Sequence, residues 1–212
     1  VLMGLAAVFY LSGLWDLVNL SLPLLLIGMC VWLKGIPGLR LMGFPLLLIA
    51  LATPNDLPYL IAPYTLPLQS FIAGVAGFIL MQFGLDVTVE NIYLLVGGRI
   101  VEVAPHCAGI KMLFTTLYVA LMLSYWRGTL ASRVTTIGFL IAATLLSITI
   151  NILRNTTLTF LHGTGQDGLF YWLHDSWGGD LISAGMLMML IPTLSLIETL
   201  VQSFSDSAQI EE

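Results

Sequence analysis

Apolar runs separated by short polar or basic breaks set the rhythm of this chain. A helix needs about 20 apolar residues to cross the hydrocarbon of a bilayer, so each run is read against that length. Val1–Leu14 is apolar but short, Asp16 interrupts it, and Leu17–Leu33 is a first full span. Lys34, Gly35, Pro37, Gly38 and Arg40 follow as a basic turn. Leu41–Thr53 is broken by Pro45 and ends on Pro54-Asn55-Asp56, a turn with a helix stop built into it. The proline-bearing segment to Tyr64 suits a chain at the interface. Leu66–Gly84 reads as a helix with Gln69 and Gln82, in which Gly74 and Gly77 offer close approach to a neighbour. Further on, Ile110–Trp126, Val134–Leu153 and Leu181–Val201 are apolar at span length, with Arg127 and Arg133 in the break between the first two.

One stretch departs from this rhythm. From Leu85 to Ala104, β-branched residues alternate with polar ones around Gly97-Gly98. Alternation of period two with a Gly-Gly turn predicts a two-stranded hairpin. The expected architecture is therefore an all-α polytopic membrane protein of about six to seven transmembrane helices with a short extramembrane β-hairpin. A single transmembrane domain is expected over residues 1–204, with the hairpin at 85–105, an outer loop at 155–180 and a solvated tail at 205–212.

Composition agrees with that reading. Of 212 residues 58% are hydrophobic and 9% charged, with mean hydropathy +0.97, whereas a soluble domain carries roughly a quarter charged residues. The net charge of −5 says little about partners, because in a membrane protein the placement of Lys and Arg matters more than their sum. A nucleic-acid partner is not expected. Basic loops favour the cytoplasmic side, which places both the Lys34–Arg40 turn and the Arg127–Arg133 loop inside. That assignment requires one of Leu41–Thr53 and Leu66–Gly84 not to cross. No basic n-region with a cleavage site is visible, so insertion is expected to come from the spans themselves.

Candidate chemistry gathers at span ends. Cys107 precedes a small-residue step, Ala108-Gly109, and an apolar run. At a helix start, peptide N–H groups lack intrahelical partners, and their partial positive charge favours thiolate over thiol. Cys107 is thus a candidate nucleophile, although free cysteines in apolar surroundings are most often inert small hydrophobes. Cys30 lies inside an apolar run, and the two cysteines offer neither a disulfide framework nor metal-ligand spacing. If the Arg127–Arg133 loop is inside, Cys107, Arg154 and His174 share the outer face. Arg154 is permanently charged and suits an oxyanion or a carboxylate; its competing role is a snorkelling anchor. The three histidines rank His174, His162, His106 as candidate bases. His106 adjoins Cys107, but neighbouring helical residues point about 100° apart. Glu102 is a candidate partner for a cation and Asn151 for orienting Arg154.

The ordered set of hairpin, V-x-V-x-x-x-C-A-G-I at Val101–Ile110, N-x-x-R at Asn151–Arg154 and H-D-x-x-G at His174–Gly178 resembles the exosortase/archaeosortase family of membrane transpeptidases. Pro67-Leu68-Gln69, Glu90-Asn91 and Gly98 are similar to that family too, so the likeness covers roughly residues 41–200, and GTGQDG before His174 is similar to cyanobacterial members. The resemblance implies Cys107 as nucleophile, Arg154 as cationic stabiliser and His174 as acid/base group. Gly109, Lys111, His162 and Asp175 join Glu102 and Asn151 as supporting or substrate-binding candidates. This chain carries Ala108 where the family often has serine, and Lys111 where it has arginine. Lysine keeps the charge but loses the bidentate fork.

In function, the resemblance implies a cysteine peptidase that cleaves C-terminal sorting signals, each a short motif, a transmembrane helix and a basic tail. Its substrates are exported proteins, its acceptor a lipid or glycan, and its place the bacterial inner membrane with the site on the periplasmic side. No metal or organic cofactor is required. Two other classes fit a polytopic chain: a small transporter, which would show charges near mid-membrane, and a scaffold in which all three site residues are dispensable.

Overall fold

A computed structural model describes residues 1–53, 65–104 and 109–210. Two compact units divide the chain, Val1–Ile61 and Ala62–Glu212. The turn read at Pro54-Asn55-Asp56 and the interfacial segment to Tyr64 lie outside the described residues.

In the first unit, α1 (Leu2–Leu11) packs on α2 (Trp15–Ala52). Contact is close because Gly28 of α2 carries no Cβ, which would stand 2.9 Å from Met3 Cγ. α2 has 38 residues, about twice what one crossing needs. Gly35 breaks it, with φ 62° and ψ −160°, at the position read as a basic turn.

The second unit holds α3 (Thr65–Gln82), β1 (Val87–Glu90), β2 (Tyr93–Val96), β3 (Arg99–Glu102), α4 (Ile110–Arg127), α5 (Arg133–Gly163), α6 (Asp167–Asp175) and α7 (Trp177–Ile210). The expected two-stranded hairpin is a three-stranded antiparallel sheet in the order β1-β2-β3. Gly97-Gly98 joins β2 to β3 with both φ angles positive, as a tight hairpin turn requires. The additional turn is made at Asn91, φ 58°, since a short amide side chain tolerates the left-handed region. Val87, Leu94, Val96 and Val103 form the sheet's buried face and meet Ile72, Ala73, Ala76 and Leu80 of α3. Of the two α3 glycines, only Gly77 faces the sheet, where a Cβ would overlap Val89; Gly74 has nothing within 4 Å.

Helix packing runs on rows of every fourth residue. On α5 the buried positions Thr135, Phe139, Ala143, Ser147, Asn151, Asn155 and Thr159 form one such row. Thr116, Ala120 and Ser124 form another on α4, and Met186, Leu190 and Leu194 a third on α7. Rows at this spacing interdigitate as ridges into grooves. Small residues let backbones approach where lipid tails remove the hydrophobic drive. The opposite side of α5 exposes Val134, Ile137, Ile141, Leu145 and Leu153, a lipid-facing apolar surface.

Four described helices are long and apolar enough to cross a membrane: α2 from Leu17, α3, α5 and α7 to Phe204. The six to seven spans read from the sequence exceed that number. α4, read as a span, has 18 residues but carries Lys111 and Arg127 at its ends. The stretch read as an outer loop is largely helical: α5 continues to Gly163 and α6 fills Asp167–Asp175. Its polar side chains are satisfied within the helix, Thr156 Oγ1 donating to Ile152 O at 2.8 Å and Thr157 Oγ1 to Leu153 O at 2.9 Å. The tail read as solvated is helical to Ile210.

Candidate active site

The buried row of α5 turns polar toward its C-terminal half, and there it carries Asn151 with Arg154 one turn on. Asn151 is 3% exposed. Its Oδ1 accepts from Asn155 Nδ2 at 3.3 Å, and the same Nδ2 donates to Asn151 O at 2.9 Å. That pair fixes which way the Asn151 amide faces. Its Nδ2 and the Arg154 Nε are both buried without a hydrogen-bond acceptor among the described residues.

Two glycines bound this polar face. Gly109, the N-cap of α4 with φ 76°, lies so close that a Cβ would stand 2.5 Å from both Cγ and Nδ2 of Asn151. Gly179, in the first turn of α7, would place a Cβ 3.6 Å from Arg154 Nη2 and 3.0 Å from the carbonyl oxygen of Leu173. Leu173 immediately precedes His174, so Arg154 and the end of α6 meet at one backbone position.

α6 presents His174 through an amphipathic turn anchored by buried Leu173, which joins Leu158 and Leu161 of α5. His174 Nδ1 lies 2.6 Å from Asp175 Oδ1. A carboxylate there accepts a hydrogen bond from Nδ1–H and orients the imidazole. The ring stacks on Phe170 at 5.3 Å and 12°. Beyond it, Gly178 packs against Trp172, whose ring stands edge-on to Trp177 at 5.4 Å.

His162 is placed differently. It is eight residues past Arg154, about 12 Å along the helix axis. Its Nδ1 is 3.4 Å from Asp167 Oδ1 without a directed hydrogen bond, and its ring contacts Phe170 at 4.9 Å. Arg99 completes that cluster, ion-paired to Asp167 and donating to His162 O at 3.3 Å. These contacts tie the β2–β3 turn, the end of α5 and the start of α6 together, and give His162 a fastening place in the fold.

Among the other residues singled out from sequence, Glu102 is exposed at the end of β3, Lys111 is exposed in the first turn of α4, and Asp175 is exposed beside His174. Cys107, His106 and Ala108 lie outside the described residues. Cys30 carries a free thiol. Among the described residues no three His, Cys, Asp or Glu side chains form a metal-holding group. Sequence reasoning did not single out Arg99, Asp167, Phe170 or Gly179 as site residues. The Gly178-Gly179 pair behind His174 was the available sign of close packing.

Gln69, a polar residue in an apolar helix, is 1% exposed. It accepts from Thr65 Oγ1 at 3.1 Å and donates through Nε2 to Val103 O at 2.7 Å. It thus fixes the strand exit four residues before Cys107.

No protein of curated function and no solved structure matches the chain. The family model described as transmembrane exosortase (Exosortase_EpsH) matches residues 1–191, and a match over most of the chain means that this protein belongs to the transmembrane exosortase family.

Proposed function

We propose that this protein is a membrane cysteine transpeptidase that cleaves C-terminal sorting signals from exported proteins and passes them to an acceptor. The observation that carries this reading is the framing of the Asn151–Arg154 face by Gly109 and Gly179. Gly109 lies two residues after Cys107, and covalent reach of about 3.5 Å per residue keeps that cysteine within roughly 7 Å of it. Gly179 adjoins the carbonyl that leads into His174. This chain path supports a shared site for thiol, guanidinium and imidazole.

In this mechanism the Cys107 thiolate attacks the scissile carbonyl carbon, a C–S bond forms, and the C=O π pair moves onto oxygen. Arg154 stabilises that negative charge. Collapse of the intermediate breaks the C–N bond, and the leaving nitrogen takes a proton from His174 Nε2, whose other nitrogen is held by Asp175. An acceptor amine, of a lipid or a glycan, then attacks the thioester and gives its proton to His174. The C–S bond breaks and the thiolate returns. The substrate's transmembrane helix enters laterally, with its cut bond at the periplasmic interface of the inner membrane.

The test is processing of a sorting-signal protein in cells. Cys107→Ala and Arg154→Ala are expected to leave the precursor uncleaved. A Cys107→Ala protein that still processes its substrate overturns the assignment.

A further inference from the structure

We infer that Asn151 is a catalytic residue: its Nδ2–H group, with main-chain N–H groups of the first turn of α4, receives the negative oxygen formed when Cys107 attacks the scissile carbonyl. This rests on the cysteine transpeptidase reading and adds an oxyanion donor to it.

α4 begins at Gly109 without a side-chain cap, and its first intrahelical bond is Leu113 N to Gly109 O at 2.7 Å. The N–H groups of Ile110, Lys111 and Met112 therefore have no acceptor within the helix. Their dipoles add to a positive end suited to an anion. Against this end stands Asn151, 3% exposed, with a Gly109 Cβ position only 2.5 Å from its Nδ2. A buried amide donor without an acceptor is costly to keep, and Asn155 prevents the amide from turning its oxygen that way. Among the described residues no acceptor meets Asn151 Nδ2, and a negative oxygen at the start of α4 supplies one. Gly109 cannot be replaced without filling the space, since a Cβ there meets the amide and φ is 76°. Asn151 precedes Arg154 by three residues, about 4.5 Å of helix rise. The amide can address the oxygen while the guanidinium supplies the charge.

Two small probes separate this role from a structural one. Acetylation by p-nitrophenyl acetate passes through a tetrahedral oxyanion, whereas alkylation by iodoacetamide displaces iodide without one. Both are followed by mass spectrometry of the Cys107 peptide in the purified full chain, with Cys30 as internal control. In Asn151→Ala, Cys107 acetylation is expected to slow by about 10²- to 10³-fold, as for removal of a single oxyanion donor, while its alkylation rate stays within about twofold. Asn151→Leu, which fills the volume without adding charge, lacks the donor and leaves Asn155 Nδ2 its bond to the main-chain oxygen of residue 151, is expected to show the same selective loss and keeps the test decisive if the alanine variant does not fold. Parallel loss of both reactions, or loss of neither, overturns the assignment. A Cys107→Ala protein that still processes substrate removes the underlying reading, whereas a Cys107-dependent enzyme indifferent to both Asn151 variants removes only the oxyanion role.

Discussion

Gln69 Nε2 donates to the main-chain oxygen of Val103 across 2.7 Å in a site closed to solvent. A helix is thereby joined to Val103, four residues before Cys107. Val103 is itself 1% exposed and its N–H donates to Ile92 O at 2.9 Å, so the strand exit is held on both sides. Gly109, on the other side of residues 105–108, lies against the Asn151 amide.

Replacing Gln69 by Leu keeps the volume and removes the donor. The Val103 carbonyl is left buried without its partner, which costs about 1–3 kcal/mol. Thermal unfolding in detergent should register that loss. Processing of a sorting-signal protein should fall further than the stability loss explains, because the exit is displaced. A Gln69→Leu protein with unchanged melting temperature and unchanged processing contradicts the pinning role.

The two glycines of α3 make opposite predictions. Gly74→Ala meets open space and gains helix propensity, so it should stabilise by about 0.5–1 kcal/mol. Gly77→Ala drives a methyl into Val89 of β1, and overpacking of this kind costs about 1–3 kcal/mol. Melting temperatures of the two variants compared with the parent decide the matter. Equal shifts in both would mean that the sheet does not seat on α3 at Gly77.

Four long apolar helices and the β2–β3 turn were legible because each is a local pattern: apolar length, and alternation around Gly97-Gly98. The additional strand, β1, was not, since the turn at Asn91 carries no glycine to announce it. The helical character of residues 155–163 was hidden for another reason. Asn155, Thr156, Thr157 and Thr159 read as a polar loop, yet their side chains either return to carbonyls one turn back or line the buried row. Which histidine stands near Arg154 was open in the sequence. Of the two described histidines, His162 lies beside Asp167 at the end of α5, while Gly179 lies against both Arg154 and the carbonyl of Leu173 that precedes His174.

Asp175 is exposed, but its carboxylate is 2.6 Å from His174 Nδ1. Asp175→Asn removes the charge that selects the Nδ1–H tautomer and leaves the backbone untouched. Turnover of a sorting-signal substrate is expected to fall about 10- to 100-fold with KM nearly constant, less than for a fully buried orienting carboxylate. Stability should be unaffected within about 0.5 kcal/mol, as for a surface substitution. Steady-state kinetics checks the first and thermal unfolding the second. An unchanged kcat would mean that another group orients the imidazole.

Arg154 separates charge from geometry. Its Nε is buried without an acceptor among the described residues, and Nη2 lies beside Gly179 in the first turn of α7. Arg154→Lys keeps one positive charge but loses the Nε–H and the second arm of the fork. If the fork positions the reacting carbonyl, the lysine protein should process substrate at no more than about a hundredth of the parent rate, comparable to losing one directed donor. If only the local potential matters, lysine should recover most of the activity lost in Arg154→Ala. Iodoacetamide alkylation of Cys107 distinguishes a further case: a thiol that reacts normally in Arg154→Lys while processing is lost places the guanidinium's action on the substrate and not on the thiolate.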